Sequence, residues 1–381
     1  MMKINSFSFK NLNLGLVIEP IHFSNLSLLV GVSGVGKTII LQSLSDLKEI
    51  AKGKSLDGAE WEIQFSIKNK NYLWQGAFEQ SGLADFSYGD FFEDEEKAEA
   101  VSRPKIIYEK LSLNDELLVE RKENEIKLEG KKTPKLSSYK SALNLFNEEE
   151  RIAPVFQGLN KIIRSDDYDT GGIPIFENFD RFVKKHPTLE SIRNANIPTY
   201  LKLALVYKTQ SDVFNIIKEN FINIFSQVEN IKLEPVKEGY LPFFIRNSPH
   251  LQIKEKNVSK WIFHNKISSG MFKTLLQISQ LFLCTESTVI LIDEFENSLG
   301  INCIDTLTEN LLYDNRNIQF ILTSHHPYII NAIGMEYWKV VFRKGGVIST
   351  KDAKDYNLGK SRHESFKQLI QLNDYRRGIR L

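Results

Sequence analysis

Gly31-Val32-Ser33-Gly34-Val35-Gly36-Lys37-Thr38 is the stretch on which the fold turns. It satisfies G-x-x-x-x-G-K-[ST], the P-loop pattern, at every fixed position. Its flanks agree with the pattern. Leu26–Val30 reads as an apolar strand, and Thr38 to about Ala51 sets Ile40, Leu41, Leu44 and Leu47 at helical spacing, with Gly53 as the stop. Glycines let backbone N–H groups turn inward around a phosphate chain, and a helix start adds unpaired donors and a positive dipole end. The nucleotide-binding candidates are therefore Gly31, Ser33, Gly34, Val35, Gly36, Lys37 and Thr38. Lys37 would reach the β- and γ-phosphates, and Thr38 would offer its hydroxyl to Mg²⁺.

A second stretch answers the first. Thr288-Val289-Ile290-Leu291-Ile292-Asp293-Glu294 is an apolar strand that ends in two carboxylates. A buried strand that delivers Asp293 beside a P-loop completes a Mg²⁺ shell, so the metal candidates are Thr38 and Asp293. Glu294, one residue on, could polarise a water aimed at the γ-phosphate. The expected cofactors are ATP and Mg²⁺, and the expected activity is ATP hydrolysis.

Outward from these motifs, the first thirty residues read as short strands: Lys3–Phe9, Leu14–Ile21 and Leu26–Val30. Trp61–Ile67 and Tyr72–Phe78 read as a hairpin with one buried face, and Lys105 to about Leu128 as further strands. Glu79–Glu99 carries eight Asp/Glu against Lys97 and reads as a solvated loop. From about Ser137 to Val228 the pattern is helical. Val213, Phe214, Ile216, Ile217, Phe221, Ile224, Phe225 and Val228 form one wide apolar stripe, and Pro174, Pro187 and Pro198 break the region into short helices. Ile231–Val236, Phe243–Arg246, Leu251–Val258 and Trp261–Asn265 read as strands. Beyond Ser268 helix and strand alternate, which implies a largely parallel sheet covered by helices.

Three further segments carry a resemblance. Ile267-Ser268-Ser269-Gly270-Met271 is similar to the signature turn of ABC ATPases. Glu296-Asn297-Ser298-Leu299-Gly300 falls where the D-loop falls, and Ile321-Leu322-Thr323-Ser324-His325-His326-Pro327 resembles the switch-histidine segment. The order of these parts is that of an ABC-type ATPase head. The Asp-Glu-Phe-Glu-Asn run and the Thr-Ser-His-His-Pro turn resemble the RecF/SMC/OLD branch rather than a transporter subunit. Over roughly residues 1–80 and 231–345 the likeness implies an α/β, two-lobed P-loop head: a mixed N-terminal sheet, a mostly parallel core sheet and a short helical insertion. The parts would be 1–165 (lobe with the P-loop), 166–230 (helical insertion), 231–345 (lobe with the signature, Asp293 and the histidine) and 346–381 (basic tail).

The resemblance also implies roles. Ser268, Ser269 and Gly270 would contact the γ-phosphate bound to a second protomer, Asn297 and Ser298 would line the dimer seam, and His325 would sense the γ-phosphate with Glu294 as the catalytic carboxylate. His326 is the neighbouring alternative to His325. Ser269 stands where Gly is usual, and Met271 where Gln or Glu is usual. Gln157 and Gln75 are both candidates for the Q-loop residue, and equally for surface glutamines. Together these parts imply a homodimer closed by ATP that acts as a molecular switch on a separate effector, such as a nuclease or toxin. The chain also resembles the ATPase subunits of bacterial anti-phage systems such as PARIS. The alternative is a RecF-like ATPase that binds DNA in repair; a transporter ATP-binding subunit is disfavoured.

Composition bounds the rest. The 381 residues are 42% apolar and 25% charged, with 49 Lys+Arg against 48 Asp+Glu, so no global charge draws the chain to nucleic acid. Arg343–Leu381 carries ten Lys/Arg against four Asp/Glu, which leaves open a DNA contact, an acidic protein partner or a solvated tail. Cys284 and Cys303 are too few for a disulfide framework or a zinc cluster and read as core residues. His22, His186, His250, His264 and His363 read as scattered singly. No apolar run is long enough for a membrane span, and the start shows no signal core, so a cytoplasmic location without membrane contact is expected. After Asp293 no further carboxylate cluster has metal-site spacing. A fused nuclease of the OLD type is therefore not expected.

Overall fold

The computed structural model describes residues 2–80, 103–165, 179–235, 248–296, 317–356, 359 and 362–379. The chain divides into two compact units. The first comprises Met1–Arg164, Ser287–Glu294 and Asn315–Leu381; the second comprises Ser165–Glu286 and Phe295–Asp314.

The first unit is organised by one long sheet. Its strands are β1 (Met2–Asn11), β2 (Leu16–His22), β3 (Leu26–Val30), β4 (Ala59–Ile67), β5 (Lys70–Phe78), β6 (Ile106–Leu113), β7 (Glu116–Lys122), β8 (Glu125–Leu128), β9 (Lys131–Lys132) and β10 (Ile162–Arg164). They are joined later in the chain by β14 (Val289–Ile292), β15 (Gln319–Ser324), β16 (Trp338–Lys344) and β17 (Val347–Asp352). The order is β10-β14-β15-β3-β16-β17-β2-β1-β4-β5-β6-β7-β8-β9. The strands from β10 to β16 pair in parallel, and those from β1 outward form an antiparallel meander. The two sheets expected from the sequence are thus one ladder, made continuous where β17 pairs in parallel with β2.

Composition explains the two halves. In β3, β14 and β15 every residue is buried, which is the signature of parallel strands covered on both faces. In β4, Trp61, Ile63 and Phe65 alternate with exposed Glu62 and Gln64, as a half-solvated strand does. The β4–β5 turn holds Lys68 and Asn69 at φ 48 and 65, the paired left-handed residues of a tight hairpin. Gln319 locks the halves together. Its buried amide accepts from Ile4 N (2.7 Å) and donates to Ile4 O (2.8 Å) and Ser24 O (2.9 Å), beside the bulge between Ile4 and Ser6.

Helix α1 (Lys37–Ala51) packs Ile40, Leu41, Leu44 and Leu47 into the core at zero exposure. It ends where Gly53, at φ 97, donates to Ile50 O. The helices α2 (Ala142–Leu145) and α3 (Ala153–Asn160) follow the meander. The segment after β15 forms α9 (Pro327–Ala332), and the chain closes with α10 (Arg362–Gln371) and α11 (Asn373–Arg377).

The second unit holds α4 (Phe179–Lys185), α5 (Leu189–Asn194), α6 (Thr199–Thr209), α7 (Ser211–Ile224) and α8 (Ser269–Leu283). A small sheet of β11 (Val228–Glu234), β12 (His250–Glu255) and β13 (Ile262–Phe263) accompanies them. On α7 the buried stripe is Phe214, Ile217, Phe221 and Ile224, narrower than the sequence implied. Ile216 is exposed, because one residue of helix rotates its side chain about 100° from Ile217, and Val228 already belongs to β11. His250 and His264 are not single: their rings stack at 5.9 Å between centroids, and burial, helped by His250, lowers the pKa of His264.

The segment taken as a tail is partly core. β17 is an inner strand, Leu369 of α10 is fully buried, and Arg343 N donates to Gly378 O (2.7 Å). Val347–Asp352 holds too few apolar residues to announce a strand, and its pairing partners lie far away in sequence. Among the described residues, no helix is long and apolar enough to cross a membrane. Phe243–Arg246, Ile304–Leu312, Pro174, Cys303, most of the acidic stretch and the His363 side chain lie outside the described residues.

Candidate functional site

The loop between β3 and α1 carries the first set of candidates. Gly34 and Gly36 have φ 84 and 98, values that favour glycine, and a Cβ on Gly36 would collide with the Ile348 side chain of β17. Gly31 is equally confined: a Cβ there would lie 2.9 Å from Val341 O and 3.0 Å from Val35 Cγ2. Ser33 is exposed, Val35 is buried under the loop, and Val32 is half-buried. Lys37 is buried, and its Nζ donates to Gly31 O (2.8 Å) and Val32 O (3.1 Å), so the ammonium lies over the loop's own backbone.

Strand pairing brings the second set alongside. β3, β15 and β14 are consecutive parallel neighbours, so their C-terminal ends open on one edge of the sheet. There Thr38 Oγ1 donates to Asp293 Oδ1 (3.2 Å). Thr323 Oγ1 donates to the same oxygen (2.6 Å) and accepts from Glu294 N (2.7 Å). Arg164 Nη2 lies 3.4 Å from Asp293 Oδ2, with both side chains only 12% exposed. Glu294 adopts φ 43, a left-handed conformation that costs a non-glycine residue about 1–2 kcal/mol. The Thr323 bond holds it there and leaves the side chain exposed.

The two histidines separate. His326 is the N-cap of α9: its Nδ1 accepts from Tyr328 N (3.2 Å), and its own N–H donates to Ser324 Oγ (3.0 Å). The His325 side chain is exposed at the end of β15. In the second unit, Ser268 caps α8 by accepting from Met271 N (3.2 Å), and Ser269 and Gly270 form the first turn of that helix. Asn297 and Ser298 lie outside the described residues. Gln157 sits on α3 and Gln75 on β5; the strand that flanks β14 ends instead on Arg164.

Oxygen donors suit a hard divalent cation, and Thr38 Oγ1 and Asp293 Oδ1, already 3.2 Å apart, supply two of them at the mouth of a loop shaped by left-handed glycines. The residues present fit a nucleotide and its metal. Sequence reasoning missed Thr323, Arg164 and Gln42, which accepts from Arg164 Nη1. A signal was available for Thr323: a threonine in the otherwise apolar run Phe320-Ile321-Leu322 is a buried polar group that needs a partner. Arg164, closing a three-residue strand, gave none.

A protein-family profile described as "AAA domain, putative AbiEii toxin, Type IV TA system" matches residues 26–331. No curated protein matches the chain. Among solved structures, an SMC head bound to the C-winged helix domain of ScpA is 14% identical, covering 92% of this chain and 97% of that one at a TM-score of 0.44. The SMC head domain from Thermotoga maritima is 13% identical, covering 92% and 98%, also at 0.44. An SMC head bound to the C-terminal domain of ScpA derived from Pyrococcus furiosus is 13% identical, covering 93% and 98% at the same score.

Proposed function

The chain belongs to the AAA domain family of the AbiEii type and is a P-loop ATPase, and from that premise we propose that it hydrolyses ATP with Mg²⁺ as a dimerising switch that controls a separate effector. One observation carries the reading: Asp293 meets Thr38 at 3.2 Å beside the loop of Lys37, with Glu294 next in line. Bound Mg²⁺ would neutralise charge on the β- and γ-phosphates. The chain's own residues do the rest. Backbone N–H groups of Gly34–Lys37 and the α1 terminus bind the phosphate chain, and Lys37 turns its ammonium from the loop carbonyls to the phosphates. Thr38 and Asp293 hold the metal. Glu294 accepts a proton from the attacking water, its carboxylate placed by the Thr323–Glu294 N bond. His325, with His326 committed to capping α9, contacts the γ-phosphate.

The switch follows from the second anion site. Ser268, Ser269 and Gly270 open a fifteen-residue helix whose first turn offers backbone donors. One nucleotide would satisfy both sites by bridging two chains, with Asn297 and Ser298 at the seam of a twofold dimer. The division 1–165, 166–230, 231–345 and 346–381 belongs to this proposal, except that β17 and Leu369 take the last part out of the category of a free tail. The mention of a TA system in the family description supports control of a partner protein. An anti-phage role of the PARIS kind is the narrowest form of this proposal. A RecF-like reading draws on the basic segment, of whose described residues Arg376 and Arg377 are exposed on α11.

The test is the Glu294→Gln chain with ATP and Mg²⁺. Light scattering after size exclusion should show the mass double, with hydrolysis lowered about 100-fold or more. A monomer at saturating ATP-Mg²⁺ would sink the switch. Capture of the same variant from its host should recover an effector protein; recovery of DNA alone, lost steeply with added salt, would replace the effector with DNA.

A further inference from the structure

Arg164 enters the site from β10, the edge strand beside β14. Its guanidinium lies between a carboxylate, Asp293, and the side-chain amide of Gln42. Nη2 meets Asp293 Oδ2 at 3.4 Å, and Nη1 donates to Gln42 Oε1. Gln42 Nε2 in turn donates to Asp46 Oδ1 at 3.1 Å, one turn further along α1. Asp46 is pushed up by burial, and the Gln42 hydrogen bond and the charges of Lys54 and Arg164 oppose that push. So the Arg164 charge is felt at both ends of the chain Asp293–Arg164–Gln42–Asp46.

Charge balance decides what this arrangement does. A half-buried carboxylate beside a triphosphate needs a positive neighbour. In the absence of metal, Arg164 is such a neighbour for Asp293. A divalent cation held by Thr38 and Asp293 would take over that task, and two cations would then compete for one carboxylate. Gln42 and Asp46 offer the displaced guanidinium a place to stay.

Building on the nucleotide reading above, we propose that Arg164 is a positioning residue: it holds Asp293 in the metal-free site, yields it to the divalent cation, and so sets how strongly nucleotide binding depends on that cation. Without Arg164, Asp293 repels the triphosphate until metal arrives. Metal-free binding weakens, while metal-loaded binding holds or tightens. Without Asp46 the guanidinium stays on Asp293, and more metal is needed to displace it.

The experiment measures ATP affinity by calorimetry in EDTA and in saturating Mg²⁺, on folded protein checked by thermal melting. The readout is the ratio of the two dissociation constants. Arg164→Ala and Arg164→Gln should raise that ratio about tenfold, equivalent to about 1.4 kcal/mol, with Arg164→Lys between them and the wild type. Asp46→Asn should raise the Mg²⁺ concentration at half-saturation, the opposite sign. In Arg164→Ala/Asp293→Asn the effect of losing Arg164 should vanish, because it acts through Asp293. Equal losses in both buffers, leaving the ratio unmoved, would overturn the proposal and leave Arg164 a structural residue. Wild-type chain that binds ATP in neither buffer would overturn the nucleotide reading itself, and the inference with it.

Discussion

Two arginine–carboxylate pairs sit in the same sheet and do different work. In the meander, Arg121 and Glu109 are 0% and 1% exposed, with Nε 3.9 Å from Oε2. Each is tied to its surroundings. Arg121 donates to Ser137 O, Ser138 O and Lys140 O, while Glu109 accepts from Trp74 Nε1, Ser141 Oγ and Ala142 N. At the end of the parallel strands, Arg164 and Asp293 keep 12% exposure and bond mostly to side chains, those of Thr38, Thr323 and Gln42. The first pair is held mostly by backbone, through all three Arg121 bonds and Ala142 N, and ties the connection 137–142 to the sheet. The second is held by groups that can rotate, in a place water and ligand can reach. Burial to completion makes a charge pair a rivet; burial that stops short makes it exchangeable.

The largest effect should come from breaking the rivet. Arg121→Ala leaves Glu109 buried without its cation and frees three carbonyls, a cost of about 3–5 kcal/mol. Urea titration should show that loss, with ATP affinity of the surviving folded fraction unchanged. Arg164→Ala, by contrast, should cost about 1.5–3 kcal/mol in the same titration, the range of a hydrogen bond to a charged group. Similar stability losses for the two variants would erase the distinction.

A smaller effect isolates Thr323, the hinge of the exchangeable group. Thr323→Val keeps the shape of a fully buried side chain and removes its hydroxyl. Asp293 loses a donor, Glu294 N loses its acceptor, and the left-handed Glu294 backbone loses the bond that holds it. Steady-state hydrolysis should fall about tenfold at saturating ATP, about 1.4 kcal/mol of barrier, with the dissociation constant within about threefold of wild type. Thr323→Ser should restore the rate. A rate that Val leaves intact would show that Glu294 needs no such support.

The same contrast explains what the sequence disclosed. The P-loop, α1, β14 and β15 are legible because local pattern and tertiary role coincide: strands buried on both faces must be apolar runs, and Gly36 must be glycine at φ 98. β10 and β17 are not legible, because three residues and the polar run Val347–Asp352 become strands only through distant partners. Arg164 and Gln42 fail for the same reason, being 122 residues apart. Of the two neighbouring histidines, only the folded backbone separates the capping ring from the exposed one, since both flank the same helix start.

A further cation, the half-buried Lys202 on α6, extends the contrast, and its effect is the smallest expected. Its Nζ donates to Arg193 O at 2.7 Å, and burial lowers its pKa to about 8. An unfolded lysine titrates near 10.4, so between about 8 and 10.4 the unfolded chain holds a proton that the folded chain has released. Stability from this group therefore rises with pH across that window. Tyr200 and Tyr207, pushed up by burial, act in the opposite direction only above their unfolded value near 10. Urea midpoints from pH 7.5 to 9.5 thus see Lys202 free of the tyrosines. Lys202→Met, which carries no charge to bury, should be the more stable form at pH 7.5. Its lead should shrink by about 1 kcal/mol by pH 9.5, allowing for partial solvent access. Parallel curves would mean that the ammonium reaches water, and that a lone carbonyl serves a buried cation no better than it serves an exposed one.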